Sequence, residues 1–475
     1  MLKFIAILYP FVEALGIAMV IHAVLYVRTS QAAVAWSIVL VLFPWISIPM
    51  YWIFGRNHFQ GYTEALQQGY LKKVREIHIQ REELEKFRAF AFNQGNPLAK
   101  VFEKLAESPF TTGNHARLLI DGKAAFQSIF SAISSAKDYI LLEFFIVRDD
   151  ELGKQLKDLL IEKARSGVRV FFLYDEIGSR KLGLPYRLAL AAAGVRFHPF
   201  FTRRGILNKF QLNFRNHRKI VVVDGKTAFV GGLNVGREYL GHDKKFGYWR
   251  DTHLKIEGPV VSVVQQIFEG DWYWSRREFL DLTWDCTSRE EDRQAALALP
   301  MDPAHDNVEI CSLFFVSSIL AARKRIWIAS PYFVPNNAVI QALQVAALRG
   351  VDVRILLPQR ADHILVYLAS YSFLSQLAVP GIRIFRYLPG FMHQKVLLLD
   401  DSLASVGTAN LDNRSFSLNF EINILVADEG FAGEVSTMLE RDFGNALEVY
   451  AGDLPRPKWF FRFASRFAAL FSPIL

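Results

Sequence analysis

The sequence predicts an α/β protein of two similar halves behind an N-terminal two-helix transmembrane hairpin. Three observations predict it. One polar pattern occurs twice at the same offsets: His217, Lys219, Asp224 and Asn234, then His393, Lys395, Asp400 and Asn410. The stretches ahead of the two copies also correspond, 140–147 with 326–334 and 167–173 with 350–356, with a helical segment inside each pair. The first 56 residues are almost wholly apolar.

Taken in order, 4–27 and 32–54 are each long enough to cross a bilayer, with Arg28-Thr-Ser-Gln31 as a polar turn between them. The first run is too long for a secretory signal and a second span follows it. Glu13 and His22 are unusual inside a span and are expected to pair between helices or to face protein. Trp45, Tyr51 and Trp52 suit an interfacial belt. Arg56, Lys72, Lys73, Arg75 and Arg81 follow the second run, against Arg28 alone in the turn, so the positive-inside rule places the remainder in the cytoplasm. Residues 60–92 read as a solvated helical linker of mixed charge. The expected organisation is a hairpin at 1–56, a linker at 57–107, halves at 108–297 and 298–452, and a basic aromatic amphipathic tail at 453–475.

Within each half, strand, helix and strand alternate, which is the pattern of α/β units with buried sheets. The runs 219–223 and 395–399 are β-rich and end at turn residues, so each reads as a buried strand. His and Lys two apart on a strand share a face. With turns centred on Gly225-Lys226 and Asp401-Ser402, His217 falls opposite Asn234 and His393 opposite Asn410. Asp224 and Asp400 have the other parity and sit at the turns, where stabilising the turn is favoured over direct catalysis.

His, Lys and Asn together suit phosphate chemistry. Histidine attacks phosphorus or moves a proton near neutral pH. Lysine holds a positive charge on non-bridging oxygens, and Asn adds a neutral donor. Two clusters supply one histidine to attack and one to protonate the leaving oxygen. No Asp, Glu and His cluster with metal-ligand spacing accompanies them, so metal-free phosphodiester transfer through a phosphohistidine is expected, with no cofactor. A net charge of +8 and 51% hydrophobic residues suit an anionic lipid surface, or nucleic acid. Cys286 and Cys311 are the only cysteines and form no disulfide framework. Arg203, Arg204, Lys209, Phe210, Phe214, Arg215 and Arg218 form a basic aromatic stretch suited to anionic headgroups at a cleft mouth. The tail interleaves Arg462 and Arg466 with Phe460, Phe463, Phe467 and Phe471, which suits either a membrane surface or docking onto the domain.

The two His-x-Lys-x4-Asp segments resemble the HKD motifs of the phospholipase D superfamily. Tyr248-Trp-Arg-Asp251-Thr-His, Ile256-Glu-Gly-Pro259, Ser330-Pro-Tyr-Phe-Val-Pro335, Gly407-Thr-Ala-Asn-Leu-Asp-Asn-Arg-Ser415, Leu418-Asn-Phe-Glu421 and Phe471-Ser-Pro-Ile-Leu475 are similar to bacterial cardiolipin synthases of the ClsA type. The similarity spans nearly the whole chain. It implies two phospholipase D-like α/β halves with pseudo-twofold symmetry whose clusters meet in one cleft. It implies a catalytic set of His217, Lys219, Asp224, His393, Lys395 and Asp400, supported by Asn234, Asn410, Glu421 and Asp251. The acidic pair would each accept a hydrogen bond from a catalytic imidazole. It implies transfer of a phosphatidyl group between two phosphatidylglycerols, releasing glycerol, with His217 as nucleophile and His393 as acid and base. A hydrolytic phospholipase D, another phosphatidyltransferase and a non-enzymatic anionic-lipid-binding membrane protein are the alternatives. The expected partners are membrane phospholipids rather than nucleic acid, and the expected location is a bacterial inner membrane. Oligomeric state is open.

Overall fold

The computed structural model describes residues 2–27, 30–55, 59, 61–200, 213–284, 286–288, 291–304, 308–360, 362–449 and 459–475. The apolar start folds as α1 (Leu2–Tyr26), α2 (Ser30–Leu42) and α3 (Pro44–Phe54), with α1 packed along both of the others. Gly16 permits the close approach, since a Cβ there would lie 2.8 Å from the Leu40 carbonyl oxygen. Among the described residues one helical span, Leu8–Tyr26, is long and apolar enough to cross a membrane, and it is almost entirely exposed.

The second expected span is not a single helix. It breaks at Phe43, whose φ of −136° and ψ of 55° are non-helical, immediately before Pro44. Proline lacks an N–H and disfavours helical geometry in the residue before it, so the apolar run restarts there as a new helix. His22 pairs between helices as expected, its Nδ1 lying 2.7 Å from the Tyr51 hydroxyl. Glu13 does not: it is bonded to the Tyr9 hydroxyl within α1. Tyr51 is buried against His22 and Trp36.

The linker forms α4 (Tyr62–Tyr70), α5 (Val74–Glu85), α6 (Phe90–Asn93) and α7 (Pro97–Ala106). It is less solvated than its charge suggests. Phe59 and Tyr62 are buried in an aromatic cluster with Phe214, Trp274 and Phe420. α7 contributes Ala99, Phe102 and Ala106 to the core of the second half. Arg88 ties α5 to α7 through Glu85 and Glu103. Mixed charge marks the outer face of these helices, while their rings and alanines supply the inner one.

The first half runs β1 (Thr111–Ile120), α8 (Asp121–Ser135), β2 (Tyr139–Phe144), α9 (Glu151–Arg165), β3 (Arg169–Asp175), α10 (Leu184–Ala192), β4 (Arg196–Phe200), β5 (Arg215–Asn216), β6 (Ile220–Val223), β7 (Thr227–Gly231), β8 (Trp249–Arg250), β9 (Thr252–Glu257) and α11 (Val260–Arg276). The second runs β10 (Gln294–Met301), α12 (Ile310–Ala321), β11 (Arg325–Ala329), β12 (Phe333–Val334), α13 (Asn337–Leu348), β13 (Asp352–Pro358), α14 (Ile364–Leu374), β14 (Ile382–Tyr387), β15 (Phe391–Met392), β16 (Val396–Leu399), β17 (Leu403–Gly407), β18 (Leu411–Asp412), α15 (Asn413–Ser417), β19 (Asn419–Ala427), α16 (Glu429–Gly444) and β20 (Ala446–Val449). A final helix, α17 (Trp459–Ala469), follows.

Strand order displays the duplication. One half reads β4-β3-β2-β6-β7-β9-β1 from its outer edge inward, and the other reads β14-β13-β11-β16-β17-β19-β10, with β20 added outside β14. The two orders mirror each other. β1 and β10 pair antiparallel and join the halves into one sixteen-stranded sheet. β2, β3 and β4 are parallel, as are β11, β13 and β14, because helices return the chain between them. β6 and β16 are buried throughout, so strands ending at polar clusters are held by apolar flanks.

Each β6–β7 or β16–β17 hairpin turns one residue earlier than its sequence suggests. Val223 pairs with Thr227 and Leu399 with Leu403. Asp224 and Asp400 take left-handed φ values of 52° and 50°. Their short polar side chains tolerate that region, and local hydrogen bonds hold it. The shift moves Asn234 and Asn410 out of direct opposition to the histidines.

Candidate active site

Each histidine stands at the mouth of its hairpin, preceded by a two-residue strand that crosses to the other half. β5 pairs in parallel with the start of β19, and the His217 N–H donates to the Phe420 carbonyl at 2.9 Å. β15 pairs in parallel with β8, and the His393 N–H donates to the Arg250 carbonyl at 2.8 Å. The residue after each of those carbonyls is an acid. His217 Nδ1–H therefore meets Glu421 at 2.8 Å, and His393 Nδ1–H meets Asp251 at 3.0 Å. The pairing is crossed: each half supplies the carboxylate that orients the other half's imidazole. An ionised carboxylate only accepts, which assigns the proton to Nδ1; the Nε2 lone pair of His217 is left available, while that of His393 lies 3.1 Å from Lys395 Nζ.

Glu421 and Asp251 are fully buried and well supported. Ser415 Oγ and Asn419 Nδ2 donate to Glu421. The Trp249 indole and the Thr252 N–H donate to Asp251. Burial alone would raise both carboxyls, but His217 and Lys219 hold Glu421 below the usual range, and His393 and Lys395 do the same for Asp251. Gly232 makes room for this: a Cβ there would lie 2.0 Å from Asp251 Oδ1.

The lysines lie beneath the imidazoles. Lys219 Nζ donates to the His217 carbonyl and Lys395 Nζ to the His393 carbonyl, both at 2.6 Å. Lys219 is 0% exposed and Lys395 3%. Burial, opposed by the nearby carboxylates, brings Lys219 down to about 7 and Lys395 to about 8. Burial also lowers both His217 and His393 to about 4. The charge of Lys395 is felt at Lys219 and His217, so the two clusters share one electrostatic site.

Asp224 and Asp400 sit at the far ends of β6 and β16, away from the imidazoles. Asp224 accepts from the N–H groups of Lys137, Asp138 and Tyr139, and Asp400 from those of Arg323, Lys324 and Arg325. They fasten the starts of β2 and β11. We expect Asp400→Ala to cost about 1–3 kcal/mol in unfolding free energy through its orphaned donors and left-handed backbone. The turnover of the folded fraction should change little. Denaturant unfolding and active-site titration check this, and an inactive protein of normal stability contradicts it.

Asn234 accepts from the Ile146 N–H and donates to the Tyr239 hydroxyl, bracing the loop whose Phe145 ring packs against His217. Asn410 is buried, and its Oδ1 has no hydrogen-bond partner. The basic aromatic stretch does not form a cleft mouth where it is described. Phe214 is buried, and Arg218 is 1% exposed in an ion pair with Asp271. Arg203, Arg204, Lys209 and Phe210 lie outside the described residues.

Arg218 belongs to a layer behind His217 that sequence offsets do not reveal. Asp271 also accepts from Tyr62 and Asn216, and Asn216 donates to Glu143. The same layer recurs behind His393, where Asp442 accepts from Arg250 and Gln394. The available signal is positional: Arg218 and Gln394 each follow a histidine, and Asp271 and Asp442 lie on the helices that close each half.

Two duplicated α/β halves whose paired His and Lys clusters are locked by crossed carboxylates define a phospholipase D-like protein. The fold agrees with that of a phosphatidylserine synthase from Haemophilus influenzae Rd KW20, at a TM-score of 0.60 and 16% identity, covering 80% of this chain and 100% of that one. The family described as "Cardiolipin synthase, PLD-like domain" matches residues 129–272 and 315–443, and "Phospholipase_D-nuclease N-terminal" matches 14–56. A cardiolipin synthase A of Pseudomonas aeruginosa (strain LESB58) is 47% identical over 99% of this chain and 96% of its own length. One of Pseudomonas putida (strain KT2440) is 45% identical over 99% of this chain and 98% of its own. The chain belongs to the cardiolipin synthase family of phospholipase D-like enzymes.

Proposed function

We propose that the protein is a cardiolipin synthase that transfers a phosphatidyl group from one phosphatidylglycerol to another. The observation that carries the reading is the crossed pair of carboxylate-oriented imidazoles, each with its own buried lysine. His217 Nε2 attacks phosphorus, the bond from phosphorus to the glycerol oxygen breaks, and His393 gives that oxygen a proton. His393 then takes the proton of the terminal hydroxyl of a second phosphatidylglycerol. That oxygen attacks phosphorus, the phosphorus–nitrogen bond breaks, and His217 is released. Glycerol and cardiolipin are the products. The lysines neutralise the non-bridging oxygens. Burial lowers both imidazoles to about 4, which favours the unprotonated form that His217 needs for attack; the negative charge of a bound phosphate raises both, and His393 takes the proton that the first step needs.

The substrates are membrane phospholipids, and α1–α3 hold the cleft at the bilayer face where both reside. The basic residues that follow α3 support a cytoplasmic position for the catalytic halves in this reading. The assignment is tested by quenching turnover and digesting the protein. A phosphatidyl adduct on the peptide carrying His217 is expected, accumulating when water and acceptor lipid are limiting. An adduct on the His393 peptide instead reverses the roles.

The lysine pKa values set a pH dependence. Each lysine is charged below its pKa and neutral above it, so anion capture weakens as pH rises through about 7 to 8. For a soluble phosphodiester, kcat/KM, which reports the free enzyme, should fall across that window. Lys219→Arg keeps its charge throughout and should move the falling limb upward. An unmoved limb contradicts the role of Lys219.

A further inference from the structure

α17 presents three different sides. Ser465 and Ala468 are buried, and Phe461 packs edge-on against Tyr371 of α14. The opposite side carries Trp459, Phe460, Phe463, Phe467 and Leu470, which are 67%, 67%, 64%, 50% and 73% exposed. Arg462 and Arg466 border this side, and the helix has no acidic residue. The helix thus docks on the domain by its small residues and leaves its largest rings in solvent. Exposed apolar patches of this kind mark interaction sites rather than a free surface.

The end of the chain is tied to the exit of the apolar hairpin. The Arg414 N–H donates to the main-chain oxygen of Leu475 at 2.8 Å. The Arg414 guanidinium donates to the Asn213 carbonyl at 2.6 Å, and the Asn213 amide donates to the Ile53 carbonyl of α3 at 3.0 Å. Hydrogen bonds therefore connect the segment after α17 with the last turn of α3. Ser415, the residue after Arg414, holds Glu421 and through it His217.

We propose that α17 is a second membrane footing, lying in the headgroup layer of an anionic bilayer with its aromatic side inserted and Arg462 and Arg466 on lipid phosphates. The occupant follows from chemistry. Aromatic rings bordered by arginines, on a surface fastened beside an apolar hairpin, match an anionic bilayer interface. Two footings, one at each end of the chain, fix the tilt of the cleft as well as its height. The footing rests on the lipid-transfer reading only for its effect on turnover.

The test uses the full chain with Cys286 and Cys311 replaced by alanine. An environment-sensitive fluorophore is placed at Phe463→Cys, or at Lys324→Cys beside the Asp400 turn, away from the imidazoles. The protein is reconstituted into vesicles containing phosphatidylglycerol or only phosphatidylcholine, with shallow spin-labelled lipid as quencher. The expected result is quenching at position 463 several-fold above that at 324, weaker without phosphatidylglycerol and weaker at high salt. Equal quenching at the two positions overturns the footing. So does a blue shift that grows with protein-to-lipid ratio without quenching, which would assign the surface to a second copy of the chain. A combined Trp459→Ser, Phe460→Ser, Phe463→Ser and Phe467→Ser variant should lose lipid turnover several-fold while still cleaving a soluble phosphodiester, which also confirms that it folds. An unchanged lipid-to-soluble ratio overturns the role in substrate access. Quenching at 463 without cardiolipin formation by the parent protein would retain the footing and refute the lipid-transfer reading.

Discussion

His217→Ala and His393→Ala are each expected to lower turnover by about 10⁴- to 10⁶-fold, the range found when a nucleophile or its acid–base partner is removed from a covalent mechanism. Neither change should unfold the protein. Both imidazoles sit at the site surface, 8% and 7% exposed, and their backbone N–H bonds to Phe420 and Arg250 survive substitution. The variants should differ in kind. His217→Ala should form no adduct, whereas His393→Ala should still form one slowly with a donor whose leaving group needs no proton. Circular dichroism and a nitrophenyl phosphodiester separate these outcomes. Near-normal turnover in either variant ends the two-histidine mechanism.

The second large effect concerns the crossed carboxylates. Glu421→Gln and Asp251→Asn should each lower turnover by about 10²- to 10⁴-fold with little change in KM, because the amide no longer enforces the Nδ1–H tautomer or stabilises the imidazolium. Glu421→Gln should impair adduct formation, and Asp251→Asn should impair protonation of a poor leaving group. The pH profile distinguishes positioning from structure. Losing the anionic partner makes each imidazole less basic, so limbs that depend on imidazole protonation move to lower pH. A wild-type profile with a reduced fraction of folded protein would show these acids to be structural. Their effects should also be non-additive with the histidine variants, since each acts through its imidazole.

Much of this site is legible in the sequence because its repeats are short and local. The strands expected at 219–223 and 395–399 form as Ile220–Val223 and Val396–Leu399. Uniformly apolar residues between turn formers leave few alternatives. The hairpin register is not legible, because it depends on whether Asp224 and Asp400 enter the left-handed region, a choice fixed for each by three backbone donors at and just before the start of β2 or β11. The break before Pro44 is hidden by composition, since hydropathy sees one apolar run where the backbone requires two helices. Arg218 reads as a surface charge among other arginines, yet Asp271, 53 residues away, draws it inside. The acids themselves are legible as candidates, but their crossing is not. It arises from β5 on β19 and β8 on β15, pairings of two residues each that span the two halves.

The most direct measurement supplies purified, reconstituted protein with phosphatidylglycerol labelled in both its acyl chains and its headgroup, and no other lipid substrate. Transfer between two phosphatidylglycerols predicts cardiolipin and free glycerol in equal amounts, with phosphatidic acid a minor product. Phosphatidic acid and glycerol without cardiolipin would make water the acceptor and contradict the account.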